Sequence, residues 1–274
     1  SATSMKDDDI IQHLVVASNH ATVLCFTNVG KVYRLKVFEV PQASRGAKGR
    51  PMVNLLPLDA NETITAILPL TEFLENHYVF MATASGTVKR VELEQFSNIR
   101  ANGLRAIELN EEDTLIGVAI TDGKQQIMLF SNEGKAIRFA ETDVRAMGRT
   151  AKGVRGMRVA LAATLDSEDA EVENDDSDES DDSDSNVVSR IVSLVVVPET
   201  GEVLCASANG YGKRTPVNDF PTKKRGGKGV IAIKTSERNG ELVGAVSIDE
   251  SKELMLISDG GTLVRTRAAE AVSY

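Results

Sequence analysis

The stretch Thr27-Asn-Val-Gly30-Lys-Val-Tyr-Arg34 decides the fold, because its pattern of Ser or Thr, then Gly, then Arg occurs five times. The other copies are Thr83-Ala-Ser-Gly86-Thr-Val-Lys-Arg90, Ser131-Asn-Glu-Gly134-Lys-Ala-Ile-Arg138, Ser207-Ala-Asn-Gly210-Tyr-Gly-Lys-Arg214 and Ser258-Asp-Gly-Gly261-Thr-Leu-Val-Arg265. Successive glycines are 56, 48, 76 and 51 residues apart, and an acidic insertion accounts for the longest gap. A repeat of about 50 residues indicates one supersecondary unit that packs against its own copies.

Each copy of this pattern follows a short apolar run, which predicts the first strand of a hairpin. Apolar runs of four or five residues bounded by turn residues are typical of strands buried on both faces. The Asn, Asp, Ser and Gly that follow favour a tight turn, in which glycine adopts a positive φ. The predicted first strands are residues 23–26, 78–82, 127–130, 203–206 and 254–257, and a second strand leads out through the Arg.

A second element, Arg-x-x-Lys-Gly, follows the hairpin in three repeats. It reads Arg45-Gly-Ala-Lys48-Gly49, Arg149-Thr-Ala-Lys152-Gly153 and Arg225-Gly-Gly-Lys228-Gly229, whereas the second repeat keeps only Arg100-Ala-Asn102-Gly103. Apolar or alternating segments come next, such as residues 106–109 and 229–233. One further strand is predicted to close each unit, at residues 63–68, 115–120, 190–196 and 242–246.

Four short strands in each unit predict an all-β, propeller-like array of four-stranded blades. We expect about five to six blades in one domain over residues 1–274, with the terminal blades incomplete. Helical structure is limited to possible turns near residues 37–40 and 92–96. Because the sequence starts at Ser1 and ends part-way through a repeat, we expect it to be a piece of a longer protein.

Several classes of function find no support in the sequence. Cys25 and Cys205 occupy the same repeat position, where other copies have Met or Leu, so they are interpreted as small core residues. The three histidines have no ligand-spaced Cys or carboxylate, so neither a metal nor a cofactor is expected. No nucleophile, nucleotide loop or acid–base pair recurs, and no run approaches the ~20 apolar residues of a membrane span. The chain is therefore expected to carry no catalytic residues of its own.

The formal net charge of −9 hides a basic domain. Residues 166–184 contain twelve Asp or Glu and no Lys or Arg, and without them 31 basic and 28 acidic residues remain. This serine-rich acidic segment predicts a disordered insertion at residues 166–185. Because it lies in the repeat that carries a basic loop, we expect it either to restrain anion binding in cis or to be a solvated loop with no role.

The repeated basic loops are the candidate binding site. One loop per unit at the same position predicts a row of positive charge, and the glycines let backbone N–H groups approach a phosphate. Duplex DNA is favoured over single strands because aromatic residues are scarce, at 4% of the chain. Contacts to the backbone are expected because no recognition helix is present. The predicted DNA-binding residues are Arg45, Lys48, Arg50, Arg100, Arg105, Arg149, Lys152, Arg155, Lys223, Lys224, Arg225 and Lys228.

The arginine that ends the hairpin pattern is interpreted differently. It is present in all five copies, including the repeat whose basic loop is degraded. This independence favours a structural ion pair or hydrogen bonds between blades over contact with DNA.

These residues resemble the C-terminal domain of the DNA gyrase A protein over the whole chain outside the insertion. The resemblance is carried by residues 30–34, 43–51, 53–58, 64–69, 144–148, 209–214 and 261–265. It implies a β-pinwheel of six blades that wraps duplex DNA around its rim and serves ATP-dependent negative supercoiling. It further implies the remainder of gyrase A and the gyrase B protein as partners in an A2B2 enzyme, located in the cytoplasm with the nucleoid. The family's basic heptad, Gln-Arg-Arg-Gly-Gly-Lys-Gly, matches Lys223-Lys-Arg-Gly-Gly-Lys-Gly229 at five of seven positions, but in a late repeat.

Two other interpretations fit the same residues. The equivalent domain of the topoisomerase IV A protein shares this fold, although three well-kept basic loops argue against it. A propeller-type scaffold for protein interactions would use the basic loops only as solvated turns.

Overall fold

The computed structural model describes residue 13 and residues 15–43, 50–160, 188–248, 253–257 and 263–267. The predicted insertion at residues 166–185 lies outside the described residues, as do Arg45 and Lys48.

The described chain is built from β-strands, as predicted. The strands are β1 Thr22–Thr27, β2 Lys31–Lys36, β3 Ile64–Leu70, β4 Tyr78–Thr83, β5 Thr87–Glu92, β6 Leu104–Arg105, β7 Leu115–Thr121, β8 Gln126–Ser131, β9 Lys135–Ala140, β10 Val154–Arg155, β11 Ile191–Val197, β12 Glu202–Ser207, β13 Gly212–Pro216, β14 Val230–Ile231, β15 Leu242–Ile248, β16 Glu253–Ile257 and β17 Leu263–Arg267. Short 3-10 turns occupy Val37–Glu39, Met52–Asn54, Leu93–Phe96, Glu141–Asp143 and Val217–Asp219, which confirms both predicted turns and adds three.

The strands form five antiparallel sheets, which we call blades 1 to 5. The strand orders are β3-β1-β2-β6, β10-β5-β4-β7, β11-β8-β9-β14, β13-β12-β15 and β16-β17. In blades 1 to 4 the long strand that closes the repeat pairs with the first strand of the hairpin. The long strands β3, β7, β11 and β15 are neighbours in that order.

The blades exchange strands, so a sheet does not coincide with a sequence repeat. β6 follows the hairpin of blade 2 but pairs with β2 of blade 1. β10 pairs with β5 of blade 2, and β14 pairs with β9 of blade 3, in the same way. The short third strand of a repeat therefore completes the sheet of the preceding repeat.

The hairpin glycine is needed where the returning chain of the next repeat contacts the hairpin. Gly30, Gly86 and Gly134 have φ values of +78°, +87° and +80°, which a side chain would strain. The carbonyl oxygen of Gly86 also accepts hydrogen bonds from the amides of Gly156 and Met157, at 2.8 and 3.2 Å. A Cβ on Gly86 would lie 2.3 Å from the Met157 carbonyl oxygen, so no larger residue fits.

The core lies between neighbouring blades rather than within one sheet. Along β4, Val79 and Met81 pack towards blade 1, whereas Phe80 and Ala82 pack towards blade 3. This explains the continuous apolar runs, because both faces of each central strand are buried. Each fully buried Val, Phe or Met side chain contributes about 1.5–3 kcal/mol, so blades 2 and 3 are stabilised mainly by the neighbour on either side.

The two cysteines are buried in different blades, as predicted, and neither is in a disulfide. Burial raises the pKa of each thiol to about 11, so neither is a reactive thiolate at neutral pH.

Candidate nucleic-acid interface

The basic loops arise from the way the chain returns along the preceding blade. After β9 and its 3-10 turn, the chain leaves its own hairpin, and Ala146 forms a bridge to Arg90 of blade 2. The Met147 amide donates to the Arg90 carbonyl oxygen at 2.9 Å, and pairing resumes where Val154 meets Val88. Residues 148–153 therefore bulge outward from the edge of blade 2.

The fourth repeat builds the same bulge on blade 3. Thr222 bridges Arg138, and the Lys223 amide donates to the Arg138 carbonyl oxygen at 2.9 Å. Pairing resumes where Val230 meets Ala136, so residues 224–229 stand out from the sheet edge. The Arg-x-x-Lys-Gly element is thus a lateral bulge at the outer edge of the preceding blade.

The glycine that ends each bulge is required by the backbone conformation and by close approach to the blade. Gly153 and Gly229 have φ values of +106° and +82°. A Cβ on either would lie 2.5 Å from a carbonyl oxygen of the blade, that of Val88 or Ala136. A residue larger than glycine would therefore not fit at either position.

Most of the predicted cations point into solvent. Exposed side chains are Arg50, Arg100, Arg105, Lys152, Arg155, Lys223, Lys224 and Lys228. Arg149 and Arg225 are half-buried. Arg145 and Arg158, which the predicted set omits, are exposed on either side of the bulge at residues 148–153. We call the exposed cations of residues 100–105, 145–158 and 223–228, together with Arg149, the basic edge.

Arg225 holds two neighbouring loops together. Its Nη1 donates to the Arg155 carbonyl oxygen at 2.9 Å, and its Nε donates to the Asp143 carbonyl oxygen at 3.0 Å. Two backbone hydrogen bonds reinforce this contact, from the Gly226 amide to Gly156 and from the Arg158 amide to Gly227. The loop on blade 3 is therefore fastened to the outermost strand of blade 2.

Lys89 makes the corresponding link between blades 1 and 2, and sequence reasoning missed it. Its fully buried Nζ donates to the carbonyl oxygens of Ala106, at 2.9 Å, and Arg149. The repeat offered no signal, because the same position holds Tyr33, Ile137, Lys213 and Val264 in the other copies.

Two of the hairpin arginines, Arg90 and Arg138, connect one blade to the next. Arg90 lies 3.6 Å from the buried carboxylate of Glu141 in the next repeat, with its guanidinium over the Tyr78 ring. Arg138 donates from Nη1 to the carbonyl oxygens of Val217 and Phe220, at 2.6 and 3.3 Å. The predicted contacts between blades are confirmed for these two arginines.

The other hairpin arginines differ. Arg214 pairs within its own hairpin, with its Nε 2.7 Å from a carboxylate oxygen of Glu202, which is the structural ion pair that was predicted. Arg34 is exposed, and the side chain of Arg265 lies outside the described residues.

The part of the chain that the structure describes contains no cluster of His, Cys, Asp or Glu suited to a metal ion. Over the same residues, no helix is long and apolar enough to cross a membrane.

Comparison with known proteins places this architecture in a family. The family model described as "DNA gyrase C-terminal domain, beta-propeller" matches residues 21–71, 77–122, 125–170, 201–249 and 252–272. The chain belongs to this DNA gyrase C-terminal domain family. The family resemblance inferred from the sequence, and the propeller-like all-β fold, are thereby confirmed.

Curated relatives of this gyrase-family domain are much longer than it is. The chain is 53% identical over 272 residues to the DNA gyrase A protein of Haemophilus influenzae (strain ATCC 51907 / DSM 11121 / KW20 / Rd), which covers 98% of this chain and 31% of that protein. It is 49% identical over 270 residues to the DNA gyrase A protein of Escherichia coli (strain K12), covering 98% and 28%. The domain thus spans less than a third of these relatives.

Two solved structures resemble the gyrase-family domain. The structure of a DNA gyrase A C-terminal domain matches with a TM-score of 0.71 and 26% identity, covering 92% of this chain and 74% of that one. The crystal structure of the C-terminal domain of DNA topoisomerase IV matches with a TM-score of 0.77 and 24% identity, covering 99% and 77%, and supports the fold alone.

Proposed function

We propose that this domain binds duplex DNA without sequence preference along the basic edge, and bends it from one blade to the next. The observation that carries the proposal is one exposed basic loop on each of blades 1, 2 and 3, of which those on blades 2 and 3 bulge outward from the sheet edge. A ligand that engages all three loops must be long and negatively charged. Because each loop stands on a different blade, such a ligand must follow the surface that successive blades create.

Electrostatics favours phosphate as the partner. Among the described residues of the basic edge, only Arg105 is in an ion pair, at 3.9 Å from Glu108, and both side chains are solvent-exposed. The remaining exposed cations form no ion pair with the described residues, so that part of the chain leaves their charge uncompensated. Neutralising phosphates releases counterions from DNA, and this release drives binding that does not depend on sequence.

The chemistry of the basic edge favours a duplex over a single strand. Unpaired bases are held by stacking on aromatic side chains. The exposed aromatic residues of the described chain, Phe38 and Tyr211, both lie outside the three basic loops. The described loops also present no helix that could enter a major groove, so contacts with the sugar–phosphate backbone are expected.

The family and its curated relatives support a role within DNA gyrase. We propose that the domain wraps DNA for ATP-dependent negative supercoiling, together with the remainder of gyrase A and the gyrase B protein in an A2B2 enzyme. The enzyme would act in the cytoplasm on nucleoid DNA, and the catalytic residues would belong to other domains. The relatives named as DNA gyrase favour this role over that of topoisomerase IV, and supercoiling of relaxed plasmid by the parent enzyme distinguishes the two.

The test is a titration of two unrelated 40-base-pair duplexes with the domain at several salt concentrations, followed by fluorescence anisotropy. If about four to six phosphates are neutralised, affinity falls roughly as the fourth to fifth power of salt concentration. The two duplexes should bind equally well. Absence of binding at low salt would favour the interaction scaffold, and strong preference for one duplex would contradict backbone recognition.

A further inference from the structure

Lys89 is a buried cation at the base of the basic edge. It lies in β5 of blade 2, its side chain is fully buried, and its strand partner in β4 is the apolar Met81. Lysine is almost never fully buried unless its ammonium group is paired. Here both hydrogen-bond acceptors are backbone carbonyl groups, those of Ala106 and Arg149.

These two carbonyl groups belong to consecutive basic loops. Ala106 directly follows β6, the short strand that the loop at residues 100–105 adds to blade 1. Arg149 begins the bulge on blade 2, whose far end is fixed by pairing of β10 with β5. Lys89 therefore determines where the Arg149 end of that bulge lies relative to the neighbouring loop.

The charged groups around Lys89 make its proton sensitive to a bound anion. Burial lowers the pKa of Lys89 to about 8, the positive charge of Arg149 lowers it as well, and Glu108 opposes them. Glu108 in turn lies 3.9 Å from Arg105. An anion that binds Arg149 offsets the positive charge acting on Lys89 and so favours its protonated form.

We propose that Lys89 is a positioning residue for DNA binding, which orients the Arg149 loop through its two carbonyl contacts and takes up a proton when phosphate binds beside it. This inference rests on the proposed DNA binding. It adds a residue that never touches DNA, and it predicts a coupling between DNA affinity and pH.

The direction of the pH effect on DNA affinity follows from the protonation of Lys89 in the free and the DNA-bound protein. Below pH ~8, Lys89 is charged in both free and bound protein, and affinity does not depend on its titration. Above that pH, the free protein loses the proton while the DNA-bound protein retains it. Affinity therefore falls as pH rises, by at most about tenfold per pH unit for one linked proton.

The chain itself offers a matched substitution. Blade 3 has Ile137 at the position equivalent to Lys89, and Ile137 is also buried. Lys89→Ile thus introduces the residue that blade 3 already has at this position. A melting curve establishes whether the variant folds. Lys89→Arg keeps a permanent charge with several donors and serves as the conservative variant.

The experiment measures the affinity of the 274-residue chain for a 40-base-pair duplex at pH 7.2, 8.0 and 8.8 and constant salt. We expect Lys89→Ile to bind about 3- to 10-fold more weakly at pH 7.2 and to lose the pH dependence of the wild type. Lys89→Arg should restore affinity without restoring that dependence. Calorimetric titration of the wild type at pH 8.4 in two buffers of different ionisation enthalpy should show net proton uptake, which tests the coupling even if a variant fails to fold.

The outcomes separate the two proposals. If the wild type does not bind DNA at any pH, the proposed function fails. If the wild type binds, but Lys89→Ile has the same affinity and pH profile, or no proton is taken up, the role assigned to Lys89 is wrong.

Discussion

Nη1 of Arg225 donates a hydrogen bond to the carbonyl oxygen of Arg155, 2.9 Å away, and so joins a loop on blade 3 to the edge strand of blade 2. A cation predicted from the sequence to contact DNA thus uses its hydrogen bonds within the protein. The neighbouring Lys228 makes no such contact with the described residues and is exposed. We therefore expect mutations of these two cations of one Arg-x-x-Lys-Gly element to differ in their effect on stability.

Lys228→Gln should weaken DNA binding without changing stability. An exposed loop substitution typically changes the free energy of unfolding by less than ~0.5 kcal/mol. Loss of one phosphate contact should lower the exponent of the salt dependence by about 0.9.

Arg225→Gln should also lower the free energy of unfolding, by about 1–2 kcal/mol, because charged hydrogen bonds to two carbonyl groups are lost. Urea denaturation and salt titrations of both variants provide the measurement, and equal stabilities would show that the Arg225 contacts contribute little.

Arg138→Met should destabilise the domain and leave its affinity for DNA nearly unchanged. The substitution removes the charged donor to the carbonyl oxygens of Val217 and Phe220, and a hydrogen bond to a charged group contributes about 1.5–3 kcal/mol. Arg34→Met is the matched control, because the equivalent side chain is exposed and its loss should cost less than ~0.5 kcal/mol. Thermal melting and DNA titration of both variants would refute the structural role if Arg138→Met reduced affinity but not the melting temperature.

Stability should depend on pH through Lys89. Because burial lowers the pKa of Lys89 to about 8 in the folded protein, the unfolded chain binds more protons above that pH. The contribution of Lys89 to the free energy of unfolding therefore rises with pH between ~8 and ~10, by about 1.4 kcal/mol per pH unit at most. Urea denaturation at pH 7.5, 8.5 and 9.5 should show the wild type gaining stability relative to Lys89→Ile. A constant difference between the two proteins would contradict a lowered pKa.

The acidic insertion is expected to restrain DNA binding in cis, although its residues lie outside the described structure. The described chain on either side is close together, since the Ser189 amide donates to the Ala160 carbonyl oxygen at 2.8 Å. Ala160 is two residues from Arg158 of the basic edge, and a tethered segment reaches effective concentrations of order millimolar. Excising residues 166–185 should tighten DNA binding at low salt, with a difference that shrinks as salt rises. Unchanged affinity would identify a solvated loop with no role.

Periodicity was enough to predict the hairpins, because each central strand is buried on both faces and so appears as an unbroken apolar run. Residues 78–82 were predicted and β4 spans Tyr78–Thr83. Which sheet each short strand joins could not be predicted in the same way. Leu104–Arg105 pairs over only two residues, and a pattern of that length does not indicate which hairpin it joins.

The candidate site was predictable in position but not in the orientation of each side chain. Glycine spacing located the loops, since a positive φ and close approach to the blade require glycine at Gly153 and Gly229. The sequence does not distinguish the inward guanidinium of Arg225 from the exposed Lys228, because the acceptors of Arg225 are backbone carbonyl groups. For the same reason the sequence pattern did not indicate the role of Lys89, because its partners are carbonyl groups of distant residues.

Strand exchange also sets an order of events for a chain emerging from the ribosome. Blade 1 lacks its outer strand until Leu104–Arg105 has been synthesised, which happens only after the whole hairpin of blade 2. Blade 2 likewise waits for Val154–Arg155, and blade 3 for Val230–Ile231. Each of these three blades therefore keeps an open sheet edge until part of the following repeat has been synthesised, so its sheet can be complete only about one repeat behind translation.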